Sequence, residues 1–144
     1  MNGEGKVVFL AGAIDLVPSE EQSWKSLAQM KLKFHGFTVV DPAKTFNVCY
    51  PEDTYARQRL GKKLREMNEN AILMSDFIIA RMTNTMSIGT VTELQLCANN
   101  DKPCAIFWDS EDIVPVYLYT FNLPIYTSLD ECVKWASDES EYTI

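Results

Sequence analysis

Four short runs of apolar and β-branched residues recur along the chain: residues 6–12 (KVVFLAG), 37–40 (FTVV), 77–80 (FIIA) and 103–108 (PCAIFW). A strand that is apolar at successive positions buries both faces, which is the mark of a parallel sheet covered by helices on two sides. Helical stretches separate the runs. Ser19 with Gln22 three positions on reads as a capping box, and Trp24, Leu27, Ala28 and Leu32 follow at helical spacing until Gly36, predicting a helix over 20–35. Asp53 caps a long helix carrying Tyr55, Leu60, Leu64, Met67 and Ile72, with Arg57, Arg59, Lys62, Lys63 and Arg65 solvating its other face. Ser87-Ile88-Gly89-Thr90 opens a third helix, with Val91, Leu94, Leu96, Cys97 and Ala98, that Asn99-Asn100 closes. Residues 123–126 supply a fifth strand, and Ser128 with Glu131 caps a last helix through Trp135. Residues 43–51 read as a loop, and 109–122 carry no assignable pattern.

This order predicts an α/β three-layer sandwich with a mostly parallel five-stranded sheet, flavodoxin-like or Rossmann-like, of strand order 2-1-3-4-5. Its 144 residues fit one domain, 1–144. In open sheets of this kind a ligand sits outside the carboxyl ends of the strands. Those ends gather residues 12–15, 41–47, 81–89 and the segment from 109 onward.

Composition narrows what such a ligand can be. Thirteen Lys and Arg face twenty Asp and Glu, a formal net charge of −7, so no nucleic acid polymer and no anionic membrane is expected as a partner. A small anion remains open, because the N–H groups of one helix N-terminus hold it locally. The apolar run 7–14 is too short and too soon charged for a leader or a membrane span, and the expectation is a cytoplasmic protein. Four cysteines without a C-x-x-C pair and a single histidine, His35, read as reduced thiols and a surface or capping imidazole, with no metal site and no cofactor. The Gly-rich dinucleotide and P-loop fingerprints are missing, and a Ser-His-Asp or Cys-His relay has no obvious base.

Carboxylates remain as the source of chemistry: Asp15, Asp41, Asp76 and Glu93. Glu93 is the most informative. It lies inside the helix that begins near Ser87, so its side chain tilts back toward that helix N-terminus and the cleft above the sheet.

The segments VFLAGAID, GFTVVDPA, AILMSDFIIA and SIGTVTEL, in that order, resemble the nucleoside 2-deoxyribosyltransferase superfamily, including its 2′-deoxynucleoside 5′-phosphate N-hydrolase branch. The resemblance runs over about residues 6–105, and S-x-G-x-x-x-E preceded by S-D is its most specific part. It implies Glu93 as the nucleophile that attacks the anomeric carbon and expels the base, leaving a covalent glycosyl-enzyme. It implies Asp76 as a catalytic partner that orients Glu93 and touches the ribose, although an acid before a strand is also an ordinary turn or cap residue. Two adjacent carboxylates would raise one pKa and supply a proton to the leaving base.

By the same resemblance Ser87 stands where the hydrolases carry Ser and the transferases Asp. A hydroxyl beside the N–H groups of Ile88 and Gly89 suits a 5′-phosphate, while Ser87 as a plain N-cap explains the residue equally well. Gly12, Ala13 and Ile14, followed by Asp15, match a loop that passes close to the substrate. Ile14-Asp15-Leu16 here replaces the glycines and basic residues of the hydrolase branch. Asp41 and the aromatic Phe46 complete the expected substrate-binding set, with Tyr50 and Trp108 as further aromatic candidates for the base. The resemblance also implies a homodimer or larger homo-oligomer, with 109–122 as an interface segment or, alternatively, a buried edge strand.

Three functions follow: hydrolysis of a (deoxy)nucleoside 5′-monophosphate through glycosyl-Glu93, transfer of the deoxyribosyl group to another base, or nucleotide binding without catalysis. The substrate is in each case a small nucleoside or nucleotide.

Overall fold

The computed structural model describes residues 2–13, 19–45 and 49–142. Its sheet has five strands, all parallel, in the order β2-β1-β3-β4-β5: β1 Val7–Ala11, β2 Thr38–Val40, β3 Phe77–Met82, β4 Cys104–Trp108 and β5 Ile125–Tyr126. The expected architecture and strand order are what the structure has.

Alternation along the strands sorts the core into two layers. Val8 and Leu10 of β1, Phe77 and Ile79 of β3, and Ala105 and Phe107 of β4 face one side. There they meet α1 (Ser23–Phe34) through Trp24, Ala28 and Leu32, and α5 (Leu129–Ser140) through Leu129, Cys132, Val133 and Ala136. Phe9, Ala11, Ile78, Ala80, Met82, Ile106 and Trp108 face the other side, against Ile72 of α3 (Thr54–Met74) and Leu94 and Cys97 of α4 (Ile88–Asn99). Both faces of the sheet are dry, which is why its strands read as unbroken apolar runs.

The caps of the later helices form as the sequence predicts. Asp53 accepts from the Ala56 N–H at 2.8 Å, Ser87 from Thr90 at 3.3 Å and Ser128 from Glu131 at 3.2 Å. At the first helix the structure differs. Residues 19–22 form a 3-10 turn, α1 starts at Ser23, and its N-cap Gln22 makes no side-chain capping bond. The Gln22 amide instead donates to the Ala13 carbonyl at 2.7 Å, tying the end of β1 to α1. His35 is the C-cap of α1, as expected.

Two stretches read as loop or left open contain helix. Residues Pro42–Thr45 form the single turn α2, started by the Asp41 carboxylate accepting from the Ala43 N–H at 3.0 Å. Residues Val116–Phe121 form a 3-10 helix that buries Leu118 and exposes Val116, Tyr117 and Tyr119, so an edge strand there is excluded. Among the described residues no helix is long and apolar enough to cross a membrane.

Candidate active site

At the carboxyl ends of β1 and β2 the sheet opens into a cavity of about 420 Å³, within the range that holds a small organic ligand. Gly12 and Ala13 form its floor and Pro42 one corner. One wall is the start of α4, with Ser87, Ile88, Gly89, Thr90, Thr92 and Glu93. The opposite wall is α3, whose positions 61, 64, 65, 68 and 69 share a helical face, and Tyr50 adds to the lining.

Helix geometry aims Glu93 into this cavity. Gly89 is four residues earlier on the same face, and a Cβ built on it would meet only the Ser87 Oγ, at 3.9 Å. The Glu93 carboxyl therefore reaches back past an open position toward the helix N-terminus. It is only partly exposed, and burial pushes its pKa from 4.5 up to about 7, against the pull of the Lys25 ammonium, which acts in the opposite direction. A carboxyl poised there is half ionised at neutral pH.

Ser87 is the N-cap of α4 and also lines the cavity. Its oxygen accepts from Thr90, which leaves its O–H available as a donor. As the first two residues of the helix, Ile88 and Gly89 have N–H groups that no intrahelical carbonyl reaches. Together they form an anion-compatible end of the cavity, while Glu93 lies about 9 Å along the helix axis from Ser87 at 1.5 Å per residue.

Two expected site residues sit elsewhere. Asp76 precedes β3, so it lies on the amino edge of the sheet, about 20 Å from the carboxyl edge over a six-residue strand. Its carboxylate accepts from the Val7 N–H at 2.8 Å while its own N–H donates to the Val7 carbonyl at 2.9 Å. Asp76 pins the start of β1 to β3, and Glu93 is raised by burial rather than by a neighbouring carboxylate. Replacing Asp76 with Asn should cost about 1 kcal/mol of stability and leave turnover within twofold. Thermal melts and initial rates measure both, and a loss of turnover without destabilisation would return Asp76 to the site.

Asp41 is at the correct end of the sheet but behind the wall, 4 % exposed. Its carboxylate is 3.2 Å from the ammonium of Lys25, itself 2 % exposed, and presents no open face to a ligand. Trp108 is likewise buried, its indole N–H donating to the Asp112 carbonyl at 2.8 Å. Ile14, Asp15 and Phe46 lie outside the described residues.

The sequence reading missed the α3 wall and Lys25. Arg65 is exposed, as expected of the solvated face, and also borders the cavity, paired with Glu69 at 2.9 Å, while Asn68 beside them has a buried side-chain oxygen without a partner among the described residues. The spacing 61, 64, 65, 68 was the available signal for that face. For Lys25 it was its place beside Trp24 and three residues before Ala28, in the buried stripe. Among the described residues no group of three or more His, Cys, Asp or Glu side chains is arranged to hold a metal ion.

No family model and no curated protein matches this sequence. Solved structures do match its fold. A 2-deoxyribosyltransferase from Bacillus psychrosaccharolyticus superposes with a TM-score of 0.69 at 18 % identity, over 88 % of this chain and 90 % of that one. A CMP N-glycosidase from Clostridium botulinum gives 0.57 at 18 % identity, over 91 % and 98 %. A 2-deoxyribosyltransferase from Leishmania mexicana gives 0.55 at 20 % identity, over 86 % and 85 %. At these identities the likeness is one of fold.

Proposed function

We propose that this chain cleaves the N-glycosidic bond of a (deoxy)nucleoside 5′-monophosphate, with Glu93 as nucleophile and water as the final acceptor. The observation that carries the reading is the half-buried Glu93 carboxyl in a cavity between α3 and α4, four residues after an open glycine and on the helix whose N-terminal N–H groups face the same cavity. Fold neighbours that are a CMP N-glycosidase and 2-deoxyribosyltransferases support the same bond as the target.

In the first step a Glu93 carboxylate oxygen bonds to the anomeric carbon as the carbon–nitrogen bond breaks. The electron pair leaves on the base nitrogen, which takes a proton from solvent. Water then attacks the same carbon and gives up a proton, and the Glu93 carboxylate departs unchanged. In each of the two transition states the oxocarbenium-like centre is stabilised by the partly bonded Glu93 carboxylate. The sugar phosphate would rest on the Ser87 hydroxyl and the N–H groups of Ile88 and Gly89, and the base would lie toward Tyr50 and α3.

Chromatography of free bases released from a panel of nucleosides and 5′-monophosphates, with and without an added acceptor base, tests this. Base released from a monophosphate in water alone is the expected result. Exchange that needs an acceptor would select the transferase reading, and tight binding with no turnover would select a binding module. Substituting Ser87→Asp separates phosphate from nucleoside use. Aspartate caps a helix as well as serine does, so the fold should hold. Its charge would repel the phosphate and cut monophosphate turnover on the order of 100-fold, with nucleoside turnover little changed. Equal losses on both substrates would remove the phosphate from this end of the cavity.

A further inference from the structure

In this all-parallel sheet α3 leads from the carboxyl end of β2 to the amino end of β3, and α4 from β3 to β4. The two helices pack on one face of the sheet and run side by side in the same direction. Asn68 stands six residues before Met74, the last of α3, and Glu93 six residues before Asn99, the last of α4. Each is therefore about 9 Å above the foot of its helix at 1.5 Å per residue, and both line the same cavity from opposite walls. Asn68 looks across at Glu93 from the same depth.

The neighbouring charges on that wall satisfy each other, Arg65 bonding Glu69 at 2.9 Å. The Asn68 carbonyl oxygen, by contrast, is closed off from water and has no partner among the described residues. An unpaired buried acceptor destabilises the fold, and a ligand that brings a donor relieves it. The terminal torsion of an asparagine is broad and roughly two-fold, so the oxygen can swing toward such a ligand. On the same helical face, Leu64 offers an apolar side chain one turn before Asn68. One turn further, Gly61 leaves its position open, with nothing within 4 Å of where a Cβ would stand. A glycine inside a helix weakens it, and what this one supplies is room on the cavity wall.

Stereochemistry says which part of the substrate meets this wall. A carboxylate that displaces a base attacks the anomeric carbon from the side opposite the bond that breaks. With the nucleophile on α4, the base departs toward α3. We propose that the face of α3 carrying Gly61, Leu64 and Asn68 is the nucleobase subsite, and that Asn68 holds the leaving base by its polar edge. The carbonyl oxygen accepts a hydrogen from the base while the amide NH2 donates to the adjacent ring nitrogen. The proposal rests on reading Glu93 as the nucleophile and names the bases that suit the site. They carry a donor beside an acceptor, as the exocyclic amine and neighbouring ring nitrogen of adenine and cytosine do.

The test is calorimetric binding to the full chain carrying Glu93→Gln, which needs no turnover. AMP is compared with purine riboside 5′-monophosphate, and CMP with pyrimidin-2-one riboside 5′-monophosphate, in the ribose and deoxyribose series. Each pair differs only in the exocyclic amine. In at least one pair the amine-bearing member should bind about 30-fold tighter, and adding Asn68→Leu should erase the difference. Leucine has the branched shape of asparagine, is the better helix former and leaves no orphan oxygen, so the melting temperature should hold or rise. Pairs that bind equally, an amine preference that survives Asn68→Leu, or no binding by any of these nucleotides overturns the proposal. Should the leucine variant fail to fold, the analogue pairs on Glu93→Gln decide alone. Binding with the amine preference, but no base release by the unsubstituted protein, would count against the proposed cleavage and leave the subsite standing.

Discussion

Glu93→Gln should lower kcat on nucleoside 5′-monophosphates by on the order of 1,000-fold or more, with substrate affinity changed far less. The amide keeps the shape and most of the hydrogen bonding of the side chain but cannot form the glycosyl ester. The pH profile of the unsubstituted protein should carry the same signature. A Glu93 nucleophile, as proposed, would act as a carboxylate, and burial raises its pKa to about 7, so the active form would be lost as pH falls through 7. Below that point kcat/KM should drop about tenfold per pH unit, whereas a carboxylate at its ordinary value would hold the rate to near pH 4.5. A flat profile between pH 5 and 8, or a Gln variant with more than a tenth of the parent rate, would remove Glu93 as nucleophile.

Asp41→Ala should be the most destabilising substitution near the cavity. It strands the Lys25 ammonium in the core and uncaps α2 at once. Breaking a buried pair from one side costs about 3 kcal/mol, which lowers the melting temperature of a domain this size by roughly 10 °C. Differential scanning calorimetry measures it. The sequence reading placed Asp41 against the substrate, which predicts the reverse: an unchanged melting temperature with weakened ligand binding. That outcome would put the Asp41 carboxylate back in the cavity.

The fold was legible because burial on both faces of a parallel strand writes itself as an unbroken apolar run, as in residues 77–80 and 104–108. The helix caps were legible for a similarly local reason: Asp53, Ser87 and Ser128 each bond an N–H three residues on. Elements held by one or two contacts were not. The turn at Pro42–Thr45 is started by Asp41, through its carboxylate and its carbonyl, and the 3-10 helix at Val116–Phe121 packs on the core through Leu118 and Phe121.

The site divides along the same line. Glu93, Ser87, Ile88 and Gly89 occupy consecutive turns of one helix, so local spacing was enough to group them. Asp76 shows where grouping by motif fails. An acid that precedes its strand in an all-parallel sheet belongs to the amino edge, whatever pattern surrounds it. The α3 wall comes from across the cavity, and Arg65, exposed as its place on the charged face predicts, also borders the cavity beside Glu69. Lys25 was hidden by composition, since a lysine in an amphipathic helix is ordinarily a surface residue.

The central claim is that the sugar passes through Glu93. Rapid quenching during turnover of the preferred 5′-monophosphate, followed by mass analysis of the peptide that carries Glu93, tests it most directly. A mass gain equal to the sugar phosphate less one water on Glu93, absent in Glu93→Gln and lost on standing in water, is the predicted result. Steady release of base with that peptide unmodified at every quench time, at a rate that Glu93→Gln leaves intact, would contradict it.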